Sequence, residues 1–361
     1  MTKRSAKAIY LFAILLAVSF GITATVWRSF LTTPIIVTEG VRYTVHPGSS
    51  YKVVSAELHQ QHILKHPVLF NVLFRLRNDT HHLKAGEYAF AAGLTPGKMI
   101  DQIVQGTGMV YHAFTIVPGM NFHQVRESLS KDSSLTHTTQ NLSDADIMNK
   151  LGLPNIHPEG RFFPDTYYFV AGTPDWVLLK RSYTEMQRKL LKSWDERAQG
   201  LPFKTPYDAL IAASIIEKEA YYQDELPIMA GVMVNRLRRG ILLQFDPTVI
   251  YGAGEHYNGT IHKSELRAVD NPYNTYMHKG LPPTPISMPG RLAIDAVMHP
   301  TENNYLYFVA RGDGAHQFST TLAQHYVAVN TAKKMRTWYF NTALVKQYLI
   351  KSLSQKMVNT N

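Results

Sequence analysis

Cysteine is absent from the 361 residues. Its absence excludes disulfides, cysteine-ligated zinc, thiol nucleophiles and lipid attachment through sulfur, and it suits an oxidising compartment. Charge is sparse too: Asp, Glu, Lys and Arg make up 18% of the chain, yet the formal net charge is +10. No compact Lys/Arg stripe with interleaved aromatics occurs, so no nucleic-acid partner is expected. An anionic membrane surface or an acidic polymer fits the excess charge better. GxSxG, P-loop and GxGxxG motifs are all missing, which removes the nucleophile-elbow hydrolases and the common nucleotide sites. Histidine is abundant, and His62 and His66 stand at i, i+4 with His59 nearby. The zinc-protease pattern needs glutamate directly after the first histidine, and Ile63 is there instead. No metal and no cofactor are expected.

What is present is enough apolar sequence, 45%, for two or three folded domains. Ala8 to Trp27 carries no charge, and at about 1.5 Å per residue it matches a bilayer span. Lys3, Arg4 and Lys7 precede it, placing a short tail (1–7) in the cytoplasm and an anchor over 8–28. A cleaved signal peptide is the competing reading, because Thr23, Ala24 and Thr25 are small. Signal-peptide apolar regions are usually shorter than this one. No second apolar span follows, so the rest of the chain is expected beyond the membrane.

Residues 29–40 read as a linker containing Pro34. From 41 to 108 the pattern is strand, turn, helix, helix, strand. Val41 to Val45 alternates, His46 to Ser50 turns, and Ser50 can cap a helix from Tyr51. A second helix fits Pro67 to Leu76, a strand Lys84 to Phe90, and a further helix starts at Pro96 and ends before Gly106. This βααβ order resembles a LysM-like glycan-binding module, chiefly through Tyr43 to Gly48. A larger mixed domain is expected over 109–345, with a polar tail at 346–361, so the fold class is α+β. Within that domain Glu159 to Tyr168 is dense in glycine, proline and rings. Asp175 to Trp194 is an amphipathic helix, and Asp224 is placed to cap another that ends before Gly240. Leu243 to Gly252 reads as strand-like. A long irregular stretch from 252 to 290 holds tyrosines that can stack on sugar faces or simply pack. Leu292 to Met298 reads as a short helix, and 305–310 with 316–319 as a hairpin. Thr321 and Gln324 form a capping-box pair for the last helix.

The candidate chemistry lies at Ile211 to Ala220. An apolar run there ends in Glu217, Lys218 and Glu219. Successive helical residues turn by about 100°, so the two glutamates point apart and cannot share one pocket. Glu219 falls on the stripe with Ala212, Ile215 and Ile216. Poor solvation on such a stripe raises a carboxyl pKa, and a glutamic acid protonated near neutrality can donate to a leaving group. The plainer alternative is a solvated helix end. A glycosidase with two catalytic carboxylates needs a second one about 5 to 9.5 Å away, for which Glu159 and Asp246 are candidates.

Glu217-Lys218-Glu219, Asn235-Arg236-Leu237, Leu243-Gln244 with Asp246 to Gly252, Tyr273 to Tyr276, Gly280 to Pro283, and Tyr307 to Ala310 with His316 and Phe318 occur together in that order. In this the chain resembles the YceG-like, MltG-type endolytic murein transglycosylases over about residues 35 to 340. One departure is Pro118-Gly119, where that family often has Glu-Gly. The resemblance implies Glu219 as the catalytic acid/base. It implies peptidoglycan glycan strands as substrate, cut between N-acetylmuramic acid and N-acetylglucosamine to leave 1,6-anhydro ends. It implies a single-pass protein of the inner membrane with a periplasmic catalytic domain, working beside wall synthases. Glu159, Asn235, Gln244, Asp246, Thr248, Tyr251, Tyr273 and Asn274 are expected to line the cleft. The rivals are a hydrolytic glycosidase and a noncatalytic glycan-binding scaffold.

Overall fold

A computed structural model describes residues 3–36, 39–219 and 222–334. The expected polar tail and the last residues of the expected catalytic domain lie outside these. The chain divides into two compact units. The first is Met1–Phe114 with Asp132–Thr136 and Tyr168–Pro174, and the second holds the rest.

The first unit opens with helix α1 (Lys3–Thr32). Its apolar span Tyr10–Thr32 is long enough to cross a membrane, and its side chains up to Val26 stand exposed. Further along, the helix enters folded structure. Phe30 and Ile36 are buried, with Trp27 and Leu31 packed against the same core. Ile35 N donates to Leu94 O at 2.8 Å, and Gly93 N to Ile36 O at 2.7 Å. Strand β1 (Val41–Val45) then leads to α2 (Tyr51–Gln60) and α3 (Pro67–Leu76), and β2 (Gly86–Phe90) returns antiparallel to β1 with Val41 opposite Phe90. These bounds follow the sequence reading because each signal is local. Ser50 Oγ accepts from Val53 N at 3.4 Å, and a proline opens α3 where its missing N–H costs nothing. Val54, Leu58, Phe70, Phe74, Tyr88 and Phe90 fill the space between the helices and the strand pair. Helix α4 (Pro96–Gln105) ends at Gly106, whose φ of 77° only glycine adopts without strain. Strand β3 (Tyr111–Thr115) follows.

Strand β4 (Thr166–Val170), most of which belongs to the first unit, pairs with β3. The second unit contains α5 (Phe122–Lys131), α6 (Asp144–Lys150) and α7 (Asp175–Asp195). Its centre is α8 (Pro206–Glu219), buried without interruption from Ala209 to Ile216. The small residues Ala212, Ala213 and Ser214 let α9 (Leu226–Arg238) and α12 (Arg291–Met298) approach closely, and the three share one apolar core. Ser214 fixes the neighbouring loop: its hydroxyl accepts from Ile286 N at 3.0 Å, and its carbonyl accepts from Ser287 Oγ at 3.0 Å. Strands β5 (Tyr307–Ala310) and β6 (His316–Ser319) form an antiparallel hairpin, with Tyr307 opposite Ser319. The helix over 322–334 starts at a reciprocal cap: Thr321 N donates to Gln324 Oε1 (3.2 Å), and Gln324 N to Thr321 Oγ1 (3.3 Å).

Two local expectations fail. Leu243 to Gly252 is not a strand, for Asp246–Ala253 is helix α10 with Pro247 in its first turn. The β-branched Thr248, Val249 and Ile250 suggest a strand, but an acidic residue followed by proline is a helix start, and that signal wins. Asp224 does not cap α9. It lies in a 3₁₀ turn, Gln223–Glu225, and Glu225 occupies the cap position without capping. Its carboxylate instead takes His316 N (2.9 Å) and His316 Nδ1 (2.8 Å), tying the hairpin to the start of α9. The stretch from 254 to 290 is irregular apart from a 3₁₀ turn, Gly254–His256, and one turn of helix, α11 (Lys263–Leu266).

Candidate active site

Glu219 is the last residue of α8 and is half-buried. It opens onto a cleft of about 530 Å³ whose walls include Arg236, Gln244, Asp246, Tyr276 and Tyr307. Burial pushes the Glu219 carboxyl up to about 7, and the charge of nearby Asp246 pushes the same way. Asp246, exposed at the start of α10, accepts a 2.5 Å hydrogen bond from Tyr276 Oη. Burial and that carboxylate both raise the tyrosine, which stays a donor. The facing wall is built on Arg236. Its Nε donates to Leu306 O (2.5 Å), and its Nη1 to Leu242 O, Leu243 O and Gln244 Oε1 at 2.9 to 3.0 Å. The guanidinium lies 5.2 Å from the Tyr307 ring, which stacks on His325. One buried cation thus fixes both the loop before α10 and the strand of the hairpin that lines the cleft.

Glu217 points elsewhere. It accepts from Gly290 N at 2.9 Å, and burial raises its carboxyl against that bond and the charge of Lys218. The two glutamates are therefore separated, as helical geometry requires. Gln at 217 keeps an oxygen for Gly290, so Glu217→Gln is expected to leave turnover within about threefold of the parent. Asp246→Asn removes the charge beside Glu219 and is expected to move the alkaline limb of the pH–rate profile towards acid. A limb that stays in place would mean the two carboxyls do not interact.

Of the residues expected in the cleft, Gln244 and Asp246 join Glu219 there. Gln244 holds a positive φ of 54° while its N–H bonds Thr275 O (3.0 Å). The other six have different work. Thr248 is fully buried, and its hydroxyl links Phe245 O (2.7 Å) and Thr275 Oγ1 (2.9 Å). Asn274, also fully buried, donates to Glu265 O, Leu266 O and Ala268 O, closing the irregular loop on itself. Asn235 donates to Asn303 O and Tyr305 O on another face of α9. Glu159 is buried, accepting from Phe122 N at the start of α5 and from Tyr251 Oη at 3.0 Å. Burial brings its carboxyl to about 7. Tyr251 packs edge-on against Tyr273, whose hydroxyl meets Thr284. Arg236, Tyr307 and His325 line the cleft too, beside Tyr276, one of the loop tyrosines expected to stack on sugar faces or to pack. Arg236, Tyr276 and Tyr307 stand inside the motifs that carry the resemblance, and His325 lies outside them. Among the described residues no group of three or more His, Asp or Glu is placed to hold a metal ion.

A glutamic acid raised to about 7, at a helix end in a cleft lined by a second carboxylate and tyrosines, is the arrangement that general acid–base chemistry uses. Comparison with known proteins narrows this. The model of the YceG-like family matches residues 43–331, and the chain belongs to that family. A Bacillus subtilis (strain 168) protein named endolytic murein transglycosylase is 29% identical over 310 residues, covering 79% of this chain and 82% of that one. One of the same name from Streptococcus pneumoniae serotype 2 (strain D39 / NCTC 7466) is 26% identical over 295 residues, and there the match spans 73% of this chain and 53% of the relative. A crystal structure of a yceG-like protein from Listeria monocytogenes superposes with a TM-score of 0.51 at 27% identity, covering 80% of this chain and 98% of that one.

Proposed function

We propose that this protein is a lytic transglycosylase that cuts peptidoglycan glycan strands, with Glu219 as both acid and base. The observation that carries the reading is the protonable Glu219 in its cleft, on a chain akin to proteins named for that activity. The Glu219 carboxyl gives its proton to the oxygen bridging muramic C1 and glucosamine C4, and the C1–O bond breaks. Positive charge grows at C1, where Asp246, held by Tyr276, opposes it. The Glu219 carboxylate then takes the proton of the muramic 6-hydroxyl as O6 closes onto C1. The product is a 1,6-anhydro end, no water is consumed, and Glu219 returns to its starting form.

The exposed apolar span of α1, with Lys3, Arg4 and Lys7 ahead of it, supports a single-pass anchor in the inner membrane. The N-terminus is then cytoplasmic, and the cleft periplasmic. Internal cleavage of nascent strands beside wall synthases, with the βααβ region serving as a LysM-like glycan holder, completes the proposal.

The test is mass spectrometry of products from purified glycan strands treated with the full chain in detergent. Anhydro-muramyl ends are expected. Reducing ends would instead make it a hydrolase using Asp246 as the second carboxylate. Binding without products would favour a scaffold.

A further inference from the structure

Helix α3 carries an apolar face that its own unit does not cover. Phe70, Leu73 and Phe74 point into the core. Val68, Val72 and Leu76 stand at i, i+4 and i+8, one stripe along the helix, and are 72%, 39% and 70% exposed. Single exposed apolar residues are ordinary, but three in register on one short helix are a surface built to meet something apolar.

The place of α3 says what that is. Counting from Tyr10, about 20 residues cover the roughly 30 Å of hydrocarbon in a bilayer, which puts the outer boundary near the turn Trp27 to Ser29. Arg28 is the first charge after Lys7, which agrees with this. At that level Thr25, Val26 and Ser29 of α1 share the wall of a cavity of about 520 Å³ with Leu64, Lys65 and His66, the residues leading into α3. Among the described residues the anchor runs straight into the module, since Phe30 and Ile36 are part of the module core and the backbone bonds to Leu94 and Gly93 hold the exit. Helix α3 therefore starts at headgroup depth. Exposed Arg75 on the last turn of α3, and exposed Lys65 two residues before the helix begins, put positive charge at both ends of its apolar stripe, which suits an anionic surface.

We propose that α3 is an interfacial helix that seats the first unit on an anionic phospholipid surface, the outer face of the same bilayer that α1 crosses. This rests on the reading of α1 as an anchor, and it holds whether or not the module also holds glycan.

The lack of cysteine makes the test direct. Val68→Cys, Leu76→Cys and, inside the span, Leu15→Cys variants of the full chain each carry one environment-sensitive fluorophore. They are reconstituted in phosphatidylethanolamine/phosphatidylglycerol vesicles with brominated acyl chains. All three labels are expected to be quenched about twofold and shielded from iodide. Adding Val68→Asp and Leu76→Asp to a labelled Val72→Cys chain is expected to restore iodide access there, and both changes are at exposed positions that folding tolerates. If Leu15 is quenched while Val68 and Leu76 stay open to iodide, the seat is overturned and the anchor stands. Shielding from iodide without quenching by brominated lipid would mean that protein covers the face, which also overturns the proposal. If Leu15 is not quenched, the anchor reading itself has failed and the seat falls with it.

Discussion

Glu219→Gln is expected to lower turnover on glycan strands by about 10³-fold or more, the upper part of what general acid–base catalysis contributes, because one residue serves both proton transfers. The amide has nearly the shape of the acid, so substrate binding is expected to change little and the loss to fall on kcat. Stability should move the other way. The folded-state pKa of Glu219 is raised from the usual 4.5 to about 7. Its contribution to stability is therefore full below about pH 4.5 and is lost as pH rises through 7. Glutamine has no proton to lose. At pH 8 the variant is expected to be more stable than the parent by roughly 3 kcal/mol, and at pH 4 the two should unfold together. Activity of the parent should fall about tenfold per pH unit well above 7, as the acid form disappears. Turnover assays and thermal unfolding at the two pH values check all of this. Undiminished activity would remove Glu219 from the mechanism. A variant that melts earlier at pH 8 would mean its ionised form is stabilised in the cleft, contrary to the burial that raises it.

That Glu217 and Glu219 point apart was legible, because the turn between helical neighbours is local geometry; which of the two meets the cleft was not, because α8 is buried on every side from Ala209 to Ile216. The helices and strands of the first unit were legible from local signals too, since Ser50, Pro67, Pro96 and Gly106 act on their nearest neighbours. The rest of the cleft depends on contacts between distant residues. Asp246 and Tyr276 are 30 residues apart and meet because Thr275 bonds Phe245 N and Thr248, clasping the loop to α10. Nothing in the spacing of Tyr276 announces that pairing. Buried Asn274 and Asn235 illustrate the converse. An amide that must satisfy loop carbonyls and one that meets a ligand are the same residue type, and only the fold separates them. The strand-like reading of Leu243 to Gly252 failed because β-branched residues in a short run carry less weight than the Asp-Pro start that precedes them.

Gly231→Ala is expected to be among the most destabilising single-methyl changes in the second unit, although in an isolated helix the same change would stabilise by about 1 kcal/mol. The reason lies along one face of α9. Pro227 O accepts from Thr301 N at 3.0 Å, Asn235 Nδ2 donates to Asn303 O at 2.8 Å and to Tyr305 O at 3.0 Å, and Gly231 sits between these contacts. A methyl built on Gly231 would stand 2.4 Å from Thr301 O and 2.3 Å from Asn303 Nδ2, far inside contact distance, and one of these atoms is backbone. The segment 301–305 would have to leave α9, breaking the bonds that Asn235 makes. Overpacking of this kind costs about 1 to 3 kcal/mol, and each buried polar group left unpaired about 1 to 3 more, so the clash outweighs the helix propensity. The segment runs directly into β5, whose Tyr307 and Phe308 line the cleft and whose neighbour Leu306 receives Arg236 Nε. Gly231→Ala is therefore expected to lower the unfolding temperature by several degrees and to reduce kcat in the molecules that remain folded. Asn235→Ala should show the same pair of effects in weaker form, because it removes the clasp without inserting bulk. Thermal unfolding together with steady-state kinetics decides the matter. Wild-type stability in Gly231→Ala would show that 301–305 yields freely. Lost stability with an unchanged kcat would show that the hairpin wall keeps its place without the clasp.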